Sequence, residues 1–286
     1  MIKIKVPATS ANLGPGFDVL GIAFTLYNSF GFEKSNKFEM IDFQGRYSNP
    51  FHNLVCSSYK KVFDYLNMNA IPVKIYMLEQ NVPTSRGLGS SATCIVAGVL
   101  AAKYFLKDKI SYDVAFQIAS KIEGHPDNIA PAMFGGMIAS YIVGDNFKHV
   151  RYEVSKDIKI NVLVPNFELS TKESRSVLPK TLEYKDIVYN TSRVANIPYA
   201  FVNGDINLLV ELIDDKMHEP YRMPLIKGAN EIKKVCHNAN MAFAISGAGP
   251  SLLVISKEDV GDTFKDFSDY TVYKLEVAQN GAIVEE

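Results

Sequence analysis

The chain has 286 residues, enough for one large or two modest domains that bury a core without disulfides or metals. Its 30 Lys and Arg against 31 Asp and Glu give a net charge of −1 without a long block of like charge, so we expect no nucleic acid partner. Three widely spaced cysteines argue against a disulfide framework or a thiolate metal site and favour a reducing, cytoplasmic setting. The most apolar helix-like run, residues 92–102, is shorter than the roughly 20 residues of a membrane span, so we expect no membrane association.

The first part of the chain is predicted to contain strands and turns before its long helices. Ile2, Ile4 and Val6 alternate with lysines, which indicates a strand and not the apolar stretch of a signal peptide. A helix is predicted near residues 54–66, an alternating strand over 71–78 and a polar loop over 79–89. The helix that follows, residues 90–106, is apolar on nearly every face and must be buried. Another helix is predicted over residues 111–122.

The pattern changes near residues 156–159, which predicts an N-terminal lobe over 1–155 and a C-terminal lobe over 156–286. A short apolar strand follows over residues 160–164, and helices are predicted around 188–201, 206–217 and 225–238. Strands over 241–245 and 251–255 enclose a loop at 246–250. This alternation predicts an α+β fold in which helices cover one face of the sheets.

The strongest functional signal is the segment VPTSRGLGSSAT, residues 82–93, which lies between a predicted strand and the buried helix. Glycines let backbone N–H groups point at an anion, the helix dipole favours negative charge, and Ser90 and Ser91 supply an N-cap and hydroxyl ligands. The segment is typical of a phosphate cradle, although a serine-capped helix after a tight turn has the same residues. A dinucleotide fingerprint is disfavoured because residues 106–109 end a helix where it needs an acidic residue after a strand. A Walker loop is disfavoured because no lysine follows Gly89.

Three further loops carry polar side chains. PATSANLGPGFD, residues 7–18, brings Asn12 and Asp18 together through a turn, and SGAGPS, residues 246–251, is longer than a plain hairpin needs. EGHPDN, residues 123–128, packs two carboxylates, an imidazole and an amide into one loop, which could bind Mg²⁺ or orient a substrate hydroxyl. Each of these loops, taken alone, is also compatible with an ordinary polar turn. Zinc is disfavoured because the other four histidines show no paired spacing.

Taken together and in this order, the loops at 7–18, 82–93 and 246–251 resemble the three motifs of the GHMP kinase superfamily, named for its galactose, homoserine, mevalonate and phosphomevalonate members. Residues 7–23, 123–136 and 170–175 are most similar to its homoserine-phosphorylating branch. The resemblance extends from residue 4 to residue 255. It implies a two-lobed α+β fold whose N-terminal lobe is related to the second domain of ribosomal protein S5, usually in a homodimer. It also implies that ATP phosphorylates the side-chain hydroxyl of L-homoserine, giving O-phospho-L-homoserine for threonine biosynthesis.

The same resemblance implies roles for individual residues. Asn53 would lie near the adenine, and Glu123 with a hydroxyl of Ser90 or Ser91 would coordinate Mg²⁺. The triphosphate would be held by Pro83, Thr84, Ser85, Arg86, Gly87, Leu88, Gly89, Ser90, Ser91, Ala92 and Thr93. The homoserine pocket would be lined by Asn12, Asp18, His125, Asn128, Thr171, Arg175 and Arg222.

These residues suit phosphoryl transfer, in which placement and charge neutralisation supply most of the acceleration. Asn128 and Asn12 are expected to orient the acceptor hydroxyl, with its proton leaving to a phosphate oxygen or water. The neighbouring Asp127 is an alternative base. Arg175 and Arg222 are expected to hold the substrate carboxylate and Asp18 its ammonium group, although two surface salt bridges are the ordinary interpretation of such arginines.

Two other functions remain open at this point. The chain could be a kinase of the same superfamily with a different alcohol substrate. It could also be a catalytically silent nucleotide-binding protein that senses a ligand or contacts a partner. The presence of Glu123, Ser90, Ser91 and both arginines argues against the silent alternative.

Overall fold

The computed structural model describes residues 1–107 and 109–286, so residue 108 of the helix end predicted at 106–109 lies outside the described residues. The first half of the chain contains β1 (Ile2–Ala11), β2 (Leu20–Lys34), β3 (Glu39–Ile41), α1 (Leu54–Tyr65), β4 (Val73–Gln80), α2 (Ser90–Phe105), α3 (Tyr112–Glu123), α4 (Ile129–Phe134), β5 (Met137–Val143) and β6 (Asn146–Tyr152). The second half contains β7 (Lys159–Pro165), α5 (Thr171–Ser176), α6 (Tyr184–Val194), α7 (Ile197–Asn203), α8 (Ile206–Leu212), α9 (Glu219–Arg222), α10 (Ala229–Asn238), β8 (Ala242–Ile245), β9 (Leu252–Ser256), β10 (Tyr270–Leu275) and β11 (Ile283–Glu285).

The strands form two sheets. The first has the order β11-β1-β2-β4-β3, with β5 beside β2 and β6 beside β5. The second has the order β10-β7-β9-β8 and is antiparallel throughout. The chain passes from one sheet to the other between β6 and β7, whereas β11 returns to pair with β1. The predicted α+β class is confirmed, and the ranges 1–155 and 156–286 stay a prediction.

Three apolar clusters fill the spaces between these layers. Helices α1 to α4 pack on one face of the first sheet around side chains such as Phe30, Tyr59 and Phe116. A second cluster joins the two sheets through Phe24 of β2, Val162 of β7 and Phe201 of α7. A third packs α10 against the outer face of the second sheet. Because the second cluster crosses between the sheets, the loops at the edges of both sheets are held against each other.

Strand β1 is longer than predicted. The alternation of Ile2, Ile4 and Val6 is buried as expected, but the strand continues through Pro7 to Ala11, where a loop was expected. A register shift between Pro7 and Ala8 in the pairing with β2 marks a bulge. A bulge tolerates proline inside a strand because the missing N–H need not join the ladder.

The helical predictions differ from the structure mainly at their ends. The buried helix is confirmed as α2, and Gly98 brings it so close to α1 that a Cβ there would lie 2.3 Å from the Val55 carbonyl oxygen. The single helix predicted around 188–201 is wrong, because the chain breaks into α6 and α7 just before Pro198. Proline lacks an N–H and clashes with the preceding turn, so a new helix begins there. The hairpin of β5 and β6 was not predicted.

Candidate active site

A cavity of about 740 Å³ lies where the loops of both sheets meet. It is lined by the phosphate-cradle segment, by the loop after α3 and by residues from α5, α9 and the loop between β8 and β9. The structure therefore brings together residues far apart in sequence. The sequence-predicted residues that line it are Asn12, Asp18, Asn53, Thr84, Ser85, Arg86, Gly87, Leu88, Gly89, Ser90, Ser91, Glu123, His125, Asn128, Thr171, Arg175 and Arg222.

Three members of the predicted cradle do not line the cavity. Ala92 and Thr93, in the first turn of α2, are fully buried, and Pro83 is half-buried. The Thr93 hydroxyl donates to the Ser90 carbonyl oxygen at 2.8 Å and accepts from the Asn28 amide at 2.9 Å. Thr93 thereby ties the first turn of α2 to β2, which is a structural role.

The glycines of the cradle allow close approach of other loops. Gly87 has φ +74°, and a Cβ there would lie 2.2 Å from the Ser246 carbonyl oxygen. Gly89 has φ +65° and is the N-cap of α2, so the prediction that a serine caps this helix is wrong. A Cβ at Gly89 would lie 2.0 Å from the Thr9 hydroxyl oxygen. This glycine therefore makes room for a protein contact, and a larger residue would disturb Thr9 before it filled space for phosphate.

Hydrogen bonds join the three predicted motifs directly. The Ser246 hydroxyl donates to the Gly87 carbonyl oxygen at 2.7 Å, and the Gly247 N–H donates to the Ala11 carbonyl oxygen at 3.1 Å. The Asn12 amide donates to the Gly247 carbonyl oxygen at 2.7 Å and accepts from the Asp18 N–H at 3.0 Å. The expected proximity of Asn12 and Asp18 is confirmed. The loop at 246–251 thus supports both of the others.

Asn53 lines the cavity, and its side chain is held by hydrogen bonds within the protein. Its side-chain oxygen accepts from the N–H groups of Val55 and Cys56, at 2.9 and 3.3 Å, and so caps α1. Its amide donates to the Tyr47 carbonyl oxygen at 2.8 Å. All three bonds are internal, so Asn53 fixes the loop at 45–51 to α1 along the cavity wall.

Glu123 and Ser91 form an oxygen-rich pair at the cradle. The Ser91 hydroxyl donates to the Glu123 carboxylate at 2.6 Å, and both side chains are open to the cavity. A carboxylate and a hydroxyl are the hard oxygen donors that Mg²⁺ accepts together with phosphate oxygens and water. Within residues 1–107 and 109–286, no three His, Cys, Asp or Glu side chains gather into a metal site made by protein alone. The residues present fit an ion shared with a bound phosphate.

The loop after α3 holds a charged pair. His125 Nδ1 lies 2.8 Å from the Asp127 carboxylate, whose side chain is almost fully buried. This hydrogen bond raises the pKa of His125 above its usual range, against the opposing effect of burial. Asp127, the alternative base, is therefore already paired with His125.

The arginines do not form two surface salt bridges. Arg175 makes a two-pronged contact with Asp18, at 2.6 and 3.2 Å, on the cavity wall. Arg222 is 1 % exposed and, among the described residues, has no carboxylate within salt-bridge distance. Its guanidinium donates to the carbonyl oxygens of Gly247 at 3.2 Å and Ser174 at 3.4 Å. Burial, followed by the charge of Arg175, lowers the pKa of Arg222 to about 10, so it stays charged near neutral pH.

Two residues near Arg222, His218 and Phe17, were not predicted from the sequence to belong to the site. His218 Nε2 donates to the Gly14 carbonyl oxygen at 2.8 Å, which leaves Nδ1 to accept from Arg222 at 3.1 Å. Burial lowers the pKa of His218 to about 4, so this imidazole is neutral and can serve as acceptor. Phe17 lies against both guanidinium groups, 5.2 Å from Arg222 and 5.4 Å from Arg175. The spacing of His218 and Arg222, four residues apart, was the available signal.

Comparisons with known proteins show the family to which this chain is similar. The GHMP kinase N-terminal domain profile matches residues 53–136, and the GHMP kinase C-terminal profile matches residues 199–267. A homoserine kinase of Clostridium botulinum is 39% identical over 284 residues, covering 98% of this chain and 93% of its own. One from Clostridium beijerinckii is 41% identical over 262 residues, covering 90% and 87%. The crystal structure of homoserine kinase from Cytophaga hutchinsonii superposes with a TM-score of 0.87 at 28% identity, covering 99% of this chain and 96% of that one.

Proposed function

The chain belongs to the homoserine kinases of the GHMP kinase family, and from this we propose that it transfers the γ-phosphoryl group of ATP to the side-chain hydroxyl of L-homoserine. One observation carries the proposal beyond the family likeness. A glycine-rich cradle at a helix N-terminus opens into the same cavity as Asp18, Arg175 and Arg222. Such a cavity offers N–H groups to a triphosphate and opposite charges to an amino acid.

The charges of the acceptor pocket match a zwitterion. The Asp18–Arg175 pair can offer a carboxylate to an ammonium group and a guanidinium to a carboxylate. Arg222 adds a positive charge that no described carboxylate neutralises within salt-bridge distance. A planar guanidinium binds a carboxylate through paired hydrogen bonds. An alcohol without a carboxylate would leave Arg222 without a negative partner within salt-bridge distance among the described residues.

Transfer requires placement more than covalent chemistry from the protein. The acceptor oxygen bonds to the γ-phosphorus while the bond to the bridging oxygen of ADP breaks, and the hydroxyl proton leaves to a phosphate oxygen or water. Asn128 and Asn12 orient the acceptor hydroxyl, and His125 and Thr171 line the same pocket. The backbone of residues 84–91 holds the phosphates. Asp127 is the less favoured base because it already pairs with His125.

Mg²⁺ is part of the proposal. Glu123, with the hydroxyl of Ser91 or Ser90, would hold it beside the phosphates, and the ion would supply charge neutralisation during transfer. Ser91 and Glu123 are already in contact, so neither side chain needs to move far to share the ion.

We also place the enzyme in the cytoplasm and propose a homodimer. The three cysteines are free thiols, the form that a reducing compartment maintains. In residues 1–107 and 109–286 no helix is long and apolar enough to cross a membrane. Exposed Tyr184 and Val188 on α6, with Tyr199 on α7, offer apolar surface for a second copy to cover. Sedimentation velocity measures the oligomeric state directly.

The deciding experiment is ADP release across a panel of alcohols. We expect turnover with L-homoserine and little with an amino alcohol that lacks the carboxylate or with mevalonate. Faster turnover of a different alcohol would assign the chain another substrate within the superfamily. ATP binding without ADP release on any acceptor would instead favour a silent nucleotide-binding protein.

A further inference from the structure

Thr9 stands at the meeting point of three site segments, although the predicted site did not include it. It lies in β1 and is fully buried. Its N–H donates to the Leu88 carbonyl oxygen in the cradle at 3.2 Å. Its hydroxyl donates to the Asn128 side-chain oxygen at 2.8 Å. One residue of β1 is thus bonded to both the cradle and the loop after α3.

The side chain of Asn128 is used in an unusual way for its position. Asn128 is the N-cap residue of α4, where an asparagine oxygen commonly accepts an N–H from the first turn of the helix. Here the side chain makes no such bond, and its oxygen instead accepts from Thr9. Among the described residues, the Asn128 NH₂ group has no hydrogen-bond acceptor. The amide is therefore held at its oxygen while its donor end remains available in the cavity.

The space for this contact depends on Gly89. A Cβ at position 89 would lie 2.0 Å from the Thr9 hydroxyl oxygen and 3.3 Å from the Asn128 side-chain oxygen. Any side chain there would separate the two groups or displace both. The left-handed glycine that begins α2 consequently allows the hydroxyl and the amide to meet.

We propose that Thr9 is a positioning residue that fixes the amide of Asn128 with its NH₂ group toward the acceptor hydroxyl. An asparagine amide can rotate to exchange oxygen and nitrogen, and here its oxygen accepts from the Thr9 hydroxyl, which turns the NH₂ group away from Thr9. The NH₂ group then donates to the substrate oxygen and directs it toward the phosphate. This inference rests on the proposed function, because Asn128 orients the acceptor there.

Two substitutions separate the hydroxyl from the shape of the residue. Thr9→Val keeps the branched side chain and removes the donor, whereas Thr9→Ser keeps the donor. We expect Thr9→Val to lower kcat about 10- to 100-fold with the KM for ATP within about 2-fold, since misplaced groups at a reacting centre cost rates of this order. Thr9→Ser should retain most of the wild-type kcat. Equal losses in both variants would contradict the proposal.

A double-mutant cycle tests whether Thr9 acts through Asn128. In an Asn128→Ala background, Thr9→Val should change kcat less than about 2-fold, because the amide that it positions is gone. The same loss in both backgrounds would identify Thr9 as a merely structural residue and overturn the proposal. Ser10→Ala is the matched control. It also removes a buried hydroxyl contact from β1, with Ser246 at 2.9 Å, but does not contact Asn128.

A measurement on the free enzyme keeps the test independent of turnover. The NH₂ resonances of Asn128, identified by their loss in Asn128→Ala, should shift in Thr9→Val and remain in place in Thr9→Ser and Ser10→Ala. Unchanged Asn128 resonances in Thr9→Val would refute the contact itself. If the wild-type enzyme fails to phosphorylate L-homoserine while the resonances shift as expected, the proposed function fails and the Thr9–Asn128 contact stands.

Discussion

Arg222 illustrates how burial changes the energetic role of a charged residue. On the surface an arginine pair would contribute little, but this guanidinium is 1 % exposed and held by carbonyl oxygens and a neutral imidazole. Buried charges are ordinarily paired with an opposite charge, so this guanidinium is a suitable partner for a ligand carboxylate. The substrate carboxylate is the group that our proposed function supplies.

We expect Arg222→Met to raise the KM for homoserine about 10- to 100-fold, since a hydrogen bond to a charged group is worth about 1.5–3 kcal/mol. The KM for ATP should change little. Steady-state kinetics with each substrate varied in turn measures both values, and thermal melting checks the fold. An unchanged KM for homoserine in Arg222→Met and also in Arg175→Met would exclude the carboxylate clamp.

Glu123 is the acidic residue on which charge neutralisation at the phosphates depends. Glu123→Gln keeps an oxygen that can accept from Ser91 but removes the negative charge, so we expect a folded enzyme with kcat lowered by on the order of 100-fold. Turnover at saturating Mg²⁺ measures the effect, and Glu231→Gln, on the exposed face of α10, is the control. Wild-type turnover in Glu123→Gln would show that Glu123 does not bind the metal.

Glu219 gives the protein a testable dependence of stability on pH. Burial, reinforced by Asp215, raises the pKa of Glu219 to about 8, and its carboxyl accepts from the Ile245 N–H at 2.7 Å. Because the folded-state pKa lies above the unfolded value, the neutral carboxyl contributes stability at acid pH, and this contribution is lost as pH rises from about 4.5 through 8. Glu219→Gln cannot ionise. Its melting temperature should fall less than that of the wild type between pH 5 and 9, and parallel curves would contradict the assignment.

At the scale of elements, α1 shows how a cap also shapes a binding surface. Asn53 closes the first turn of α1 and tethers the loop at 45–51 through Tyr47. Asn53→Ala should lower the free energy of unfolding by about 0.5–2 kcal/mol, the usual cost of losing an N-cap.

The matched variant Asn53→Asp separates the cap from the tether. An aspartate keeps both accepted bonds but cannot donate to Tyr47, so the free energy of unfolding should return toward the wild-type value. The KM for ATP should be raised in both variants, because neither tethers the loop at 45–51. Urea unfolding and ATP-dependent kinetics measure the two effects. A normal KM for ATP in both variants would show that the tethered loop does not contribute to the nucleotide site.

The first and last strands of the chain lie side by side in one sheet. β11 pairs with β1 through three residue pairs, and Tyr104 on α2 donates to the Glu286 carboxylate at 3.0 Å. β1 also carries Thr9, but the residues beyond β10 do not line the cavity. The C-terminal strand therefore supports the sheet from a distance.

Deleting residues 283–286 should lower the free energy of unfolding by roughly 1–4 kcal/mol, given about 0.5–1.5 kcal/mol for each hydrogen bond lost. The KM values for ATP and homoserine should remain within about 2-fold of wild type. Urea unfolding followed by circular dichroism measures the first and steady-state assays the second. A loss of ATP binding without a loss of stability would show that β11 acts on the site directly.

The family, the class of fold and most of the cavity lining could be predicted from the amino-acid sequence. Local rules were sufficient where the signal was local: the alternation of β1, the uniformly apolar α2 and the glycine-rich turn before it. Residues 84–91 and Asn12, Asp18, Glu123 and Asn128 were identified because their motifs are continuous segments. Thr93 and Ala92 were included with the cradle only because they adjoin it, and burial in α2 excludes them from the cavity.

The hydrogen bonds and charge states of these groups depend on contacts between distant segments. Nothing local pairs Thr9 with Asn128, 119 positions away, or makes His218 a neutral acceptor for Arg222 beside Gly14. The extra length of β1 depends on pairing with β2. A glycine is required at position 89 because the Thr9 side chain lies against it. Such contacts are set by how the two sheets pack through their shared apolar cluster. Side-chain chemistry can be read along a chain, but the partner that selects one hydrogen bond, one charge state or one amide orientation comes from a distant segment.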